Sequence, residues 1–129
     1  MKSKAFAKTE KNSWNAAVGE AGETKAVEYL KRHGYRVLER NYRCRFGEID
    51  IIAVDCSAQQ LCFIEVKTRS DLRKGRPCEA VTPAKIQHIR RTAYHYLSHS
   101  EAVYRKYRID VAEIIFAEGR YYLRYTKNV

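Results

Sequence analysis

From residue 16 to residue 33 the chain carries apolar and small side chains on the period of an α-helix. Gly22, Ala26, Tyr29, Leu30 and His33 fall on one stripe, and Gly34 supplies a natural stop. The period then shortens. The stretches "YRVLERNYR" (35–43), "EIDIIAVD" (48–55) and "LCFIEVKTR" (61–69) are rich in β-branched and aromatic residues and read as three strands. A turn around Phe46-Gly47 joins the first two, and the hairpin-like connection "CSAQQ" joins the second to the third. Residues 70–80 are polar and basic, contain Gly75 and Pro77, and predict a loop. A second helix follows, with Thr82 as its N-cap, Pro83 at its first position, and Ile86, Ile89, Ala93 and Leu97 along its apolar stripe. Residues 103–116 and 120–125 read as a closing pair of strands. The order α-β-β-β-α-β-β predicts an α/β domain with a small central mixed sheet flanked by helices. Residues 1–15 read as a flexible basic arm, with Trp14 docking at its end, and 16–129 as a single domain without internal repeats.

Composition narrows the class. At 129 residues and 45% apolar, the chain suits one domain with a real core. No apolar run approaches the roughly 20 residues of a membrane span, and the basic N-terminus lacks the apolar block of a secretory signal. The expectation is a soluble, cytoplasmic protein with no membrane partner. Cys44, Cys56, Cys62 and Cys78 form no CxxC pair, so reduced thiols are expected, with Cys62 in the core. A formal net charge of +10 calls for a polyanionic partner. Lys and Arg are spread along the whole chain instead of along one amphipathic helix, which favours nucleic acid over a membrane surface.

Against that background the third strand stands out. Glu65 and Lys67 lie two residues apart, so they share a face of the strand, directly after an apolar run. Asp50 sits among Ile49, Ile51 and Ile52 in the preceding strand, and a hairpin would bring it beside the Glu65–Lys67 pair. Two carboxylates in a partly dry site repel unless a cation lies between them, and Mg²⁺ or Mn²⁺ with oxygen ligands suits such a place. Lys67 would then orient or deprotonate a water, or balance charge on a phosphate. Glu23 projects to the inward side of the first helix and adds a third carboxylate, whereas Glu28 lies among solvated residues and Glu20 on the flank. The plainer alternative is an ordinary ion pair of Glu65 with Lys67 or Arg69. Candidate phosphate contacts are Arg43, Arg69, Arg73, Lys74, Arg76, Lys85, Arg90 and Arg91. His95 and His99 have zinc-compatible spacing but no evident third ligand, and read as surface histidines near a helix end. The tyrosines of "VYRKYRID" and "GRYYLRYTK" divide between base stacking and core packing, with alternation along the strands expected to bury half of them.

Taken together, "GETKAVEYLKRHGYRVLERNYR", "GEIDIIAVD", "LCFIEVKTR", "EAVTPAK" and "YRIDVAEI" resemble the YraN family of restriction-endonuclease-like proteins. The resemblance runs from about residue 16 to residue 116. That family is related to archaeal Holliday junction resolvases, which share the PD-(D/E)xK nuclease fold and use Mg²⁺. By this resemblance Glu23, Asp50, Glu65 and Lys67 match the catalytic set, the three carboxylates gathering metal and Lys67 assisting the attacking water. Glu48 and Arg69 match further motif positions, and Lys74 departs from a place where the family more often has an aromatic residue. The implied activity is metal-dependent hydrolysis of DNA phosphodiesters, in branched or distorted DNA by analogy with the resolvases. Symmetric cutting of a junction needs two active sites, which a homodimer would supply. The competing expectation is a nucleic-acid-binding protein that keeps the nuclease scaffold without cutting.

Overall fold

The computed structural model describes residues 2–69, 81–101, 104 and 106–129, with side chains from Ala17 onward. Seven elements follow one another: α1 (Lys2–Arg32), β1 (Tyr35–Cys44), β2 (Gly47–Asp55), β3 (Gln60–Arg69), α2 (Pro83–His99), β4 (Tyr107–Ala117) and β5 (Arg120–Thr126). This is the α-β-β-β-α-β-β order read from the sequence. The strands form one mixed sheet in the order β1-β2-β3-β4-β5. All neighbours are antiparallel except β3 and β4, which α2 connects as a crossover. Among the described residues no helix is long and apolar enough to cross a membrane.

The helix starts earlier than its apolar stripe. α1 begins at Lys2 and continues through the first fifteen residues, where Lys, Ala and Glu are good helix formers and no glycine or proline intervenes. The side chain of Trp14 lies outside the described residues. Gly34, at φ 80°, takes the left-handed conformation that ends the helix. Thr82 caps α2 by accepting a hydrogen bond from the Lys85 amide at 3.2 Å, with Pro83 behind it. The last pair of strands begins later than expected, at Tyr107, where pairing with β3 starts at Leu61. The expected loop at 70–80 lies outside the described residues.

The core has two layers, one on each face of the sheet. Ala26, Val27 and Leu30 of α1 pack on Ile51, Ala53, Cys62, Ile64, Ala112 and Ile114. Ile89 and Ala93 of α2 pack on Ile52, Val54, Leu61, Phe63 and Ile109. Strand alternation sorts Cys62 and Ile64 to one layer and Leu61 and Phe63 to the other. Cys62 is fully buried, as expected, and burial pushes its thiol up to about 12. Gly22 lets α1 lie close to β3: a side chain there would meet Thr68, whose Cγ2 and Cβ would be 2.8 and 2.9 Å away. This close approach places the next residue, Glu23, at the sheet.

At the opposite end of the strands a buried polar knot ties the sheet together. Arg108 donates from Nε to both oxygens of Asp110 at 3.0 and 3.1 Å. It also donates to Asp55 at 2.9 Å, to Gln60 at 3.0 Å and to the Tyr35 hydroxyl at 2.6 Å. Asp110 in turn accepts from Tyr125 and from the Asn128 amide. All five strands thus contribute to one network.

Candidate active site

The β1–β2 ribbon turns over where it leaves the body of the sheet. Arg40 and its partner Ile51 face the α1 layer, whereas the next pair along, Tyr42 and Ile49, packs with the α2 layer. Two-stranded ribbons twist more strongly than wide sheets, because nothing on the free side holds them flat. The β2–β3 ladder ends at the pair Ile51 and Ile64. Asp50 stands at this opening, and its Oδ2 accepts a hydrogen bond from the Val66 amide at 2.7 Å. The carboxylate therefore bridges the parting strands, between the two charged residues of β3.

Each sequence-selected carboxylate can be placed around that point. Glu65 is 5% exposed, and its Oε1 lies 3.4 Å from Lys67 Nζ and 3.7 Å from Lys85 Nζ. Glu23 points inward from α1, and its Oε1 lies 3.5 Å from Arg40 Nε, too poorly aligned for a hydrogen bond. That oxygen is buried and has no hydrogen-bond partner. Glu28 faces outward and pairs with Lys25. Burial, and then the adjacent Glu65 carboxylate, push the Asp50 carboxyl up to about 7, with Glu23 and Glu48 adding to the effect and the Val66 hydrogen bond opposing it.

The donor set fits a hard divalent cation in chemistry: three carboxylates, one with an orphaned oxygen and one whose ionisation is opposed by its neighbours. Among the described residues, however, no three Asp, Glu, His or Cys side chains converge closely enough to hold a metal ion as they stand. Arg40, Lys67 and Lys85 balance part of the negative charge instead. The plain ion pair of Glu65 with Lys67 is thus present, together with a second cation from α2. The sequence reading missed Arg40 and assigned Lys85 to phosphate contact alone. Both reach the site only through packing between elements distant in sequence.

The remaining cationic candidates divide. Arg43 pairs with Glu48 on the exposed β1–β2 ribbon. Arg69 ends β3, half-buried, and Arg91 is exposed on α2. Arg90 is half-buried and lies near enough to Tyr107 to oppose the upward push that burial gives its hydroxyl. Arg73, Lys74 and Arg76 lie outside the described residues. His95 differs from the expected surface histidine: it is half-buried, and its Nδ1 lies 2.7 Å from the Tyr42 hydroxyl, tying α2 to β1. His99 is exposed and stacks on His95.

Comparison with known proteins gives these residues a family context. The model of the Uncharacterised protein family UPF0102 matches residues 22–114. The chain belongs to the UPF0102 family. A UPF0102 protein of Mycolicibacterium gilvum is 46% identical over 105 residues, covering 81% of this chain and 85% of the relative. Another, from Chlorobium phaeobacteroides, is 52% identical over 106 residues, covering 80% and 82%. A third, from Caldicellulosiruptor saccharolyticus, is 45% identical over 97 residues, covering 75% and 80%. UPF0102 is related to the YraN and PD-(D/E)xK restriction-endonuclease-like proteins, so the chain is a member of a nuclease-like superfamily. The UPF0102 match takes in Glu23, Asp50, Glu65 and Lys67.

The crowding at Asp50 has a measurable cost. Its folded pKa lies above that of the unfolded chain, so the folded state holds its proton more tightly. Stability from this group is fully present below about pH 4 and is lost as pH rises through about 7. In a chelating buffer at pH 8, Asp50→Asn is expected to be more stable than the wild type, by on the order of 1–2 kcal/mol after solvent screening. At about pH 3.5, below both values, the difference should vanish. Urea melts at the two pH values check this, and a destabilised variant at pH 8 would contradict it.

Proposed function

We propose that the chain is a divalent-metal-dependent endonuclease that hydrolyses phosphodiester bonds in DNA, with branched or distorted DNA as the preferred substrate. The observation that carries this reading is the hydrogen bond from the Val66 amide to Asp50. It fixes one carboxylate against the strand that presents Glu65 and Lys67, at the point where the sheet opens. A structural ion pair needs no second carboxylate pressed against the first, because the repulsion costs stability and gains nothing for the fold.

Glu23, Asp50 and Glu65 are the residues that would hold Mg²⁺ or Mn²⁺. Such an ion would supply charge stabilisation at the phosphoryl oxygens and acidify water. The protein's own part is positioning. Val66 holds Asp50 in place, and Gly22 brings α1 near enough to present Glu23. Lys67, next to Glu65, places an ammonium where it can orient the attacking water and offset the charge that grows as the new P–O bond forms and the old one breaks. Arg69 and Arg91 are available to hold flanking phosphates.

One observation favours the non-cutting alternative, a nucleic-acid-binding protein on a nuclease scaffold: the cations of Arg40, Lys67 and Lys85 already lie against the carboxylates. Cleavage separates the two readings. Labelled duplex, single-stranded, flapped and four-way DNA are incubated with Mg²⁺ or Mn²⁺, with Asp50→Ala in parallel. Metal-dependent cutting that disappears in the variant is expected. Tight binding without cutting, unchanged in the variant, would overturn the nuclease.

A further inference from the structure

The tyrosines of β5 divide by face. Tyr121 packs toward Phe116 and lies under the Lys25 ammonium of α1, while Leu123 and Tyr125 join the α1 core layer. Alternation therefore sends Arg120, Tyr122 and Arg124 to the opposite face of the sheet. Register then connects that face to the candidate site. Lys67 pairs with Glu113, which pairs with Arg124; Arg69 pairs with Ile115, which pairs with Tyr122. Paired residues share a face, so the side of the sheet that presents Glu65 and Lys67 continues without interruption to the β5 edge.

This strip has the chemistry of a polyanion platform. α2 covers chiefly the β2 side of the face, and a cavity of about 200 Å³ separates its first turn at Ile86 from Glu113, Arg124 and Thr126. Tyr122 is 52% exposed, and among the described residues no other ring and no ion pair engages it. Lys67, Arg69, Arg120 and Arg124 supply four cations along the strip. Among the described residues its acids are Glu65, paired with Lys67 and Lys85, Glu113, which is buried, and Glu118, in the turn after β4.

Building on the nuclease reading, we propose that this strip holds an unpaired strand adjoining the scissile phosphodiester. One base stacks on Tyr122, and the backbone runs past Arg120 and Arg124. An exposed phenol ring on an open sheet offers one flat face to one flat partner. In a duplex both faces of each internal base are covered by neighbours, whereas a single strand or a branch point leaves them free. The substrate that fits both the strip and the carboxylate site is DNA with an unpaired segment beside the cleavage point.

The test is binding, measured by fluorescence anisotropy in EDTA so that no cleavage is required. Probes are a single-stranded oligonucleotide, a blunt duplex, and a duplex with a single-stranded tail. Tyr122→Ala is expected to weaken the single-stranded and tailed probes about ten-fold and the blunt duplex by less than about two-fold. Tyr122→Phe, which keeps the ring, should bind like the wild type. Arg120→Ala combined with Arg124→Ala should lower the salt dependence of single-strand binding by a slope of about 1.4. Equal loss on all probes, no loss in Tyr122→Ala, or a wild type that ignores single strands would overturn the strip. The two readings fail separately. Tyrosine-dependent single-strand binding by a protein that never cuts keeps the strip and removes the nuclease. Cutting of blunt duplex that Tyr122→Ala leaves unchanged removes the strip and keeps the nuclease.

Discussion

Arg108→Ala is expected to lower the melting temperature by roughly 10–20 °C, corresponding to about 3–5 kcal/mol of lost stability. The guanidinium is 7% exposed and sits between Asp55 and Asp110, each within 3.1 Å. Removing it leaves two carboxylates facing each other away from water. It also strips the Tyr35 hydroxyl and Gln60 of a donor. Arg108→Lys should recover only part of the loss, because one ammonium cannot reproduce the forked geometry that reaches three strands at once. The same network predicts acid sensitivity. Burial raises the Asp55 carboxyl, but hydrogen bonds from Arg108, Ser57 and the Ala58 amide outweigh it and hold the group below the usual carboxylate range. Its contribution is present above about pH 4 and is lost as pH falls through the lowered value. Thermal melts across acidic pH measure both effects. A loss below about 1 kcal/mol in Arg108→Ala would mean that the knot behaves as a screened surface pair.

On the proposed nuclease reading, Lys67→Ala is the second large expected effect, on rate and not on stability. Removal of a positioned charge or proton donor from a phosphoryl-transfer site typically costs about 10²–10⁴-fold in rate. The fold should barely notice. Lys85, 3.7 Å from Glu65, remains to balance the buried carboxylate, and the Lys67 side chain is itself 26% exposed, so a change within about 1 kcal/mol is expected. Single-turnover cleavage of the best substrate, alongside urea melts, separates the roles. A structural ion pair would give a small stability change and an unaltered rate. A working residue gives the small stability change with a collapsed rate.

Much of this site was legible along the chain because local periodicity encodes which way a side chain faces. The helical period turned Glu23 inward and Glu28 outward, and the structure places them so. Strand alternation put Glu65 and Lys67 on one face, and they lie 3.4 Å apart. The Thr82–Pro83 start and the Gly34 stop follow from backbone chemistry within a few residues and came out as expected. The same alternation required that β5 tyrosines split between two faces without saying which face met a helix.

Tertiary structure alone decided the rest. Asp50 bonds the Val66 amide only because the β1–β2 ribbon turns over where the β2–β3 ladder ends, and no local pattern announces that turn. Arg40 meets Glu23 across the gap between β1 and α1, and Lys85 meets Glu65 from α2. Arg108 finds Asp55 and Tyr35, 53 and 73 residues away in the chain. The physical reason is common to all of them. A side chain's face is set by the torsions of its own segment, whereas its partner is set by register and packing between segments, which depend on the whole core at once.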